Sequence, residues 1–448
     1  MHVDPRNVDF DHARAGLYAR GQGRMVPDLD RITALVDLLG EPQATYPTIH
    51  VTGTNGKTST TRMTAGLLSE LGLTTGTFTS PHLQTVRERF QVGLQPISED
   101  DFARTWGAVE AVAGLVDADA EPDGDLVTFF EVTAAMALWW FADLPVDVAV
   151  VEVGMGGRWD ATNVVDGDVA VLTPIDVDHR ELGDDAVSAA REKAGIVKPG
   201  SRVVVGDQDP AVLAVIEAAA RDVDAELLRW GEDVAVADRA IAVGGQQVAL
   251  RVGDRVIDEV FLPAHGAHQA DNAALSLAAV AALLGPRLDE VDDEVIRAGF
   301  ARLTTPGRLE VVATDPTIVL DGAHNPHGAR AAAVALDEAF SFRNVVLVIA
   351  TLADKDLAGI VSAWRDVVDH VIVTTAASPR AATAAQMAAA AQEVFAGTAV
   401  AVELADDVAQ ALEMATGITG SGDGIVVTGS LYTVGAARDV VAPVVGTD

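Results

Sequence analysis

Gly53-Thr54-Asn55-Gly56-Lys57-Thr58 is the stretch whose residue types and spacing best suit chemistry, and that chemistry is phosphate handling. The apolar segment Ile49–Thr52 runs into it, and a helical pattern with Met63, Leu67, Leu68 and Leu71 follows before Gly72. Gly53 and Gly56 let the backbone curl until successive N–H groups point inward at an anion. The helix start adds its dipole, and Lys57 brings a mobile positive charge. Val51 stands where the full G-x-x-x-x-G-K-[ST] pattern has its first glycine, so the motif is a variant. The plainer alternative is an ordinary strand–turn–helix corner with a surface lysine. Against it, a buried-type strand, two glycines, Lys57 and Thr58 coincide in register. A second glycine run, Gly154-Met155-Gly156-Gly157, does not complete a dinucleotide fingerprint, because Trp159 holds the third glycine position.

Three further residues fall just past β-like segments, at the sheet edge where open α/β folds place ligands. They are Ser80 after Thr75–Thr79, Glu152 at the end of Val146–Val153, and His179 after Val169–Thr173. A hydroxyl, a carboxylate and an imidazole around nucleotide oxygens would make a Mg²⁺ site, although histidine is an unusual ligand for so hard an ion. Taken singly, Glu152 is equally a solvated strand-end acid and His179 a hydrogen-bonded structural residue. Spacing does not decide, because the three come from separate loops.

These residues need a scaffold, and the apolar rhythm supplies one. Val- and Ile-rich runs alternate with Ala-rich helical stretches, which predicts an α/β fold with mostly parallel strands. Strands are expected at Thr48–Thr52, Val146–Val153, Val169–Thr173 and Arg202–Val205, each nearly continuous in apolar character, as a strand covered on both faces should be. Val234 to Leu262, with Gly244-Gly245, reads as a β-rich excursion. After Pro306-Gly307 the pattern restarts, with strands at Thr317–Leu320, Val345–Ala350, Val371–Thr374, Ala399–Val402 and Ile425–Thr428 separated by four helices. The Ala-rich tract Ala381–Ala391 reads as helix. The expectation is therefore a P-loop mononucleotide-binding domain over residues 1–303, a hinge at 304–307, and a smaller Rossmann-like α/β domain over 308–448.

Composition excludes other classes. The 66 acidic and 31 basic side chains give a net charge of −35, a field that repels nucleic acid and anionic lipid. It repels nucleotides too, so Lys, Arg, Mg²⁺ and backbone N–H groups must overcome it locally. With no cysteine there are no disulfides, thiolate metal sites or Cys nucleophile, and a reducing cytoplasm suits the chain. Residues 1–10 lack a signal-peptide stretch, and the longest apolar stretch, Val132–Ala142, is too short to span a bilayer.

His50–Ser59, Ser80–Leu83, Glu152–Asn163, Arg191–Ile196, Pro306–Glu310, Asp321–Pro326 and Gly429–Tyr432 occur in the order found in folylpolyglutamate synthases/dihydrofolate synthases of the Mur-ligase superfamily. The resemblance runs from about Arg24 to Arg438. It implies an ATP-dependent ligase that joins L-glutamate to a folate, and also to dihydropteroate, through an acyl phosphate. Thr54, Asn55, Gly56, Lys57 and Thr58 then match the phosphate loop, and Ser80, Glu152 and His179 the ligands of two Mg²⁺ ions. Lys193 matches a carbamylated lysine that adds an anionic metal ligand. Asn272 matches an adenine-side contact, and Arg308 and Asp321 match residues that close over ATP. His324 is placed at the phosphate or the incoming amine. Thr128, Phe129, Phe130, Glu131, Trp159, Asp160 and Ala161 match pterin-binding segments. Apart from the resemblance, Arg308 reads equally as a surface hinge charge, Asp321 as a cap for the following helix, and Lys193 as a surface lysine. The partners expected are small molecules met by a monomer, with no nucleic acid and no membrane. Two rivals stay open: another Mur-type ligase acting on a UDP-sugar, which should carry a UDP-binding domain ahead of Thr48, and a non-catalytic nucleotide switch.

Overall fold

The computed structural model describes residues 9–21, 26–120, 125–177, 183 and 185–441. Its strands are β1 (Thr48–Thr52), β2 (Thr75–Phe78), β3 (Phe90–Val92), β4 (Gln95–Pro96), β5 (Val148–Glu152), β6 (Val169–Leu172), β7 (Arg202–Val205) and β8 (Glu226–Arg229). Next come β9 (Val234–Ala242), β10 (Gly245–Val252) and β11 (Arg255–Leu262). The last six are β12 (Glu310–Thr314), β13 (Thr317–Leu320), β14 (Val345–Ile349), β15 (His370–Val373), β16 (Ala401–Leu404) and β17 (Gly424–Thr428).

The first eight form one sheet in the order β4-β3-β2-β5-β1-β6-β7-β8. Pairing is parallel from β2 through β8, and β3 and β4 add an antiparallel margin. β1 lies between β5 and β6 with every residue buried: Ile49 and Val51 join the apolar core, His50 Nε2 meets Thr162 Oγ1 at 2.9 Å, and Thr52 Oγ1 donates to Gly156 O at 2.7 Å. All carboxyl ends of the parallel strands face one way, so the turns after β1, β2, β5 and β6 gather at one edge. The helix Lys57–Glu70 crosses beneath and packs on the helix Ala267–Leu284, joining the sheet to the three antiparallel strands β9–β11 in one apolar core.

The last six strands form the second large sheet, in the order β12-β13-β17-β14-β15-β16, parallel except for β12. Four helices separate β13 through β17, as expected from the sequence. The Ala-rich tract is the helix Ala384–Val394, capped by Thr383.

β1, β7 and β13 have the bounds expected, and other interior strands differ by one or two residues at their ends. Sequence reading missed β3, β4, β8 and β12 and set β16 two residues early. The cause is shared: these strands lie at or beside sheet edges, and β8, β12 and β16 are half-exposed, so they lack a continuous apolar run.

Candidate active site

The phosphate loop is held from below by the turn after β6. Thr173 Oγ1 donates to Asn55 O (2.7 Å), Thr54 Oγ1 to Asp176 O (2.7 Å), and Thr54 N to Pro174 O (3.0 Å). Gly53 has φ +148°, and a Cβ there would meet Thr173 Oγ1 at 1.8 Å. Gly56 caps the helix Lys57–Glu70 with φ +89°, and its Cβ would lie 2.4 Å from Asn272 Oδ1. The two glycines thus make a cradle that any side chain would fill, with open helix N–H groups behind it. Lys57 folds back on its own loop, donating to Gly53 O (3.0 Å) and Thr54 O (3.4 Å). We predict that Gly56→Ala costs about 1–3 kcal/mol of stability through strain alone and weakens nucleotide binding. Thermal denaturation with and without ADP checks this; an unshifted melting temperature and ADP affinity would contradict it.

Glu152 lies at the end of β5 and is 1% exposed. Its carboxylate accepts from Thr58 Oγ1 (2.7 Å) and Ser80 N (3.1 Å). Burial pushes its pKa above the usual range, opposed chiefly by the charge of Lys57. A solvated strand-end acid is therefore the wrong description. Lys193 is also not a surface lysine: it is 3% exposed, and its amine donates to Gly53 O at 2.8 Å. The Ala186–Lys193 helix looks exposed from its polar sequence, but Gly157 has no Cβ, and this lets the helix end press close against it. Among the described residues no three His, Cys, Asp or Glu side chains converge on a metal-sized site. His179 lies outside the described residues. Glu152 beside Ser80 nonetheless fits a hard cation held on nucleotide oxygens.

The carboxyl-terminal sheet supplies the opposite wall. Asp321, following β13, accepts from Leu309 N (3.0 Å) and Ala323 N (2.9 Å), and burial raises its pKa against the pull of Arg308. The following helix is capped by Asn325, so Asp321 is not its cap. Arg308 lies over Gly322, where a Cβ would meet its Nη1 at 2.5 Å. His324 Nδ1 lies 3.1 Å from Gly322 O. Asn55 of the phosphate loop touches this wall directly, at Asn325 Nδ2 (3.0 Å) and His327 Nδ1 (3.1 Å). Asn272 sits under Gly56, held by Gln269 (3.2 Å).

A single cleft of about 1480 Å³ is lined by Thr54, Asn55, Gly56, Lys57, Thr58, Ser80, Glu152, Asn272, Arg308, Asp321 and His324, and also by Thr128, Phe129, Phe130, Glu131, Trp159, Asp160 and Ala161. Lys193 does not line it; it lies beneath the loop. Within the second group the polar residues are already engaged. Thr128 and Glu131 form the capping box of the helix Phe129–Asp143, and Arg31 pairs with Glu131 at 3.0 Å. Asp160 accepts from Met155 N (2.9 Å), Thr162 N (3.0 Å) and Thr162 Oγ1 (2.5 Å), and burial raises its pKa. The open surface is aromatic: Trp159 is 45% exposed, and Phe130 lies over Gly154.

Sequence reasoning missed the cleft residues Arg89 and Asp271 and the packing of Phe129, on which Tyr18 stacks with ring centroids 5.5 Å apart. Arg89 lies 5.2 Å from the same ring. Asp271 lines the cleft with its pKa pushed up to about 6 by burial and then by Asp207. No spacing signal marks any of them, because their neighbours come from distant parts of the chain.

Comparison with known proteins bears on this cleft. Residues 307–431 match the family described as Mur ligase, glutamate ligase domain. A Mycobacterium tuberculosis dihydrofolate synthase/folylpolyglutamate synthase is 46% identical over 440 residues, covering 93% of this chain and 90% of the relative. The Escherichia coli protein of the same description is 33% identical, over 92% and 91%. Among solved structures, M. tuberculosis folylpolyglutamate synthase complexed with ADP superposes with a TM-score of 0.91 at 43% identity, covering 97% of this chain and 98% of that one. E. coli FolC in complex with DHPP and ADP gives 0.84 at 31% identity, covering 98% and 99%.

Proposed function

Since the chain belongs to the dihydrofolate synthase/folylpolyglutamate synthase family, we propose that it is an ATP-dependent ligase adding L-glutamate to folates and to dihydropteroate. One observation carries the reading: a single cleft joins a phosphate cradle, with Lys57 and Glu152, to an aromatic surface built from Phe129, Phe130 and Trp159. A nucleotide's γ-phosphate and a flat ring system fit its two ends.

A carboxylate does not condense with an amine at neutral pH, because its leaving group would be oxide. Transfer of the γ-phosphoryl group from ATP to the acceptor carboxylate gives an acyl phosphate and ADP. The glutamate amine then adds to the acyl carbon, the amine proton is lost, and phosphate leaves. Lys57 and Arg308 neutralise charge on the transferring group. Mg²⁺, held by Ser80 and Glu152 with His179, would supply Lewis-acid charge on the nucleotide oxygens. Closure about a hinge at 304–307 would exclude water from the acyl phosphate, and the contacts from Asn55 to Asn325 and His327 support it. His324, which lines the same cleft, would contact phosphate or the incoming amine. The chain would act as a cytoplasmic monomer on small molecules. Its charge of −35, which opposes self-association and repels anionic surfaces, supports that part.

ADP release with a panel of carboxylates and amino acids tests the reading. Release that requires L-glutamate with dihydrofolate, tetrahydrofolate or dihydropteroate supports it. Release with a UDP-sugar acid instead would favour another Mur-type ligase, and tight ATP binding with no amino-acid-dependent release a switch.

Lys193 is proposed to carry a carbamate, adding an anion beside the metal, and its burial at Gly53 O supports this. Lys193→Ala should lose about 10–100-fold in activity, recover partly with added acetate, and show no dependence on bicarbonate. Equal bicarbonate response in parent and variant would contradict it.

A further inference from the structure

We propose that Arg89 forms a carboxylate subsite for the α-carboxylate of the glutamate already attached to a folate acceptor, so that this side chain distinguishes folyl from pteroyl acceptors. The inference rests on the folate reading above and adds a specificity element to it.

Arg89 is 7% exposed. Its Nε donates to His82 Nδ1 at 2.9 Å, and its guanidinium faces the Phe129 ring at 5.2 Å. Among the described residues no carboxylate forms an ion pair with it. Two half-buried arginines of the same lobe do have carboxylate partners: Arg20 pairs with Glu110 and Asp117, and Arg31 with Glu131. His82 accepts from Arg89 Nε, and its other ring nitrogen lies 3.2 Å from the Tyr18 hydroxyl, so the imidazole orients the guanidinium. Burial brings the guanidinium's pKa down to about 10. A buried cation facing a cleft with no directly paired carboxylate is costly unless a ligand completes it.

The place along the cleft identifies the anion. Thr79 N donates to Arg89 O at 3.1 Å, so Arg89 sits across the β2–β3 ladder beside Ser80, whose N–H holds Glu152. On its other side Phe129 begins the aromatic surface. Arg89 therefore lies between the phosphoryl-transfer end and the ring-binding end. In a folyl acceptor the α-carboxylate stands four bonds from the reacting γ-carboxylate, at most about 5 Å away. In a pteroyl acceptor the reacting carboxylate is on the benzoyl ring, and no second carboxylate exists. The incoming glutamate is the other source of a carboxylate. The glutamate ligase domain match, however, covers residues 307–431, on the opposite wall.

Dihydrofolate and dihydropteroate differ only by that glutamate. Their dissociation constants are measured with a non-hydrolysable ATP analogue and Mg²⁺, for the parent protein, Arg89→Ala and Arg89→Lys, alongside KM for L-glutamate. Arg89→Ala is expected to weaken dihydrofolate by about 10–100-fold and to move dihydropteroate by less than about 3-fold, with Arg89→Lys recovering part of the loss. A parallel loss for both acceptors, no change for dihydrofolate, or a rise confined to KM for glutamate overturns the subsite while leaving the ligase reading intact. A parent protein that binds neither acceptor removes the folate reading and this inference with it.

Discussion

Lys57→Ala is expected to lower turnover by about 10²–10³-fold, the usual cost of losing one electrostatic contact made to charge developing in a transition state. The side chain is well placed for that role. It leaves the first turn of the helix Lys57–Glu70, at its positive end, and rests on Gly53 O and Thr54 O, two carbonyls it can release when phosphate enters. It makes no ion pair with Glu152, so removing it strands no directly paired acid, and the melting temperature should stay near the parent's. The loss should fall on kcat more than on KM for ATP, because the loop N–H groups still bind the ground state. A folded Lys57→Ala protein with parental turnover would take the phosphate loop out of the mechanism.

Glu152→Gln carries the second large effect. Glutamine keeps the shape at the end of β5 but removes the charge, and its amide presents one donor where both oxygens now accept, from Thr58 Oγ1 and Ser80 N. The Mg²⁺ concentration for half-maximal activity is expected to rise by at least about 100-fold, beyond the 10–100-fold typical of residues behind a metal ligand. Folding should be little harmed, since a carboxyl whose pKa is raised by burial is already disfavoured as an ion. Activity titrated against Mg²⁺ in parent and variant decides the matter, and superimposable curves would make Glu152 a structural acid.

Legibility in the sequence followed how local each determinant is. The bounds of β1, β7 and β13 were readable because strands covered on both faces write their burial as apolar runs. Edge strands such as β8 and β16 are half-exposed and carry no such run. The phosphate loop was readable because one contiguous segment provides both backbone shape and charge. Thr128 and Glu131 lie one capping box apart, a pattern visible in sequence, yet its engagement with the helix start and Arg31 emerged only in three dimensions. Without the resemblance Lys193 reads as a surface lysine, because its burial comes from Gly53 and Gly157, not from its own helix. Arg89 gave no signal at all: Phe129 and His82, which define its surroundings, reach it through tertiary packing.

The central claim is that the acceptor carboxylate takes the γ-phosphoryl group of ATP before glutamate attacks, and oxygen tracing tests it most directly. Dihydropteroate labelled with ¹⁸O in its carboxylate is turned over with ATP and L-glutamate, and the released phosphate is analysed by mass. The account predicts that each turnover delivers one former carboxylate oxygen to phosphate. Phosphate free of label, with the amide product still formed, would contradict it.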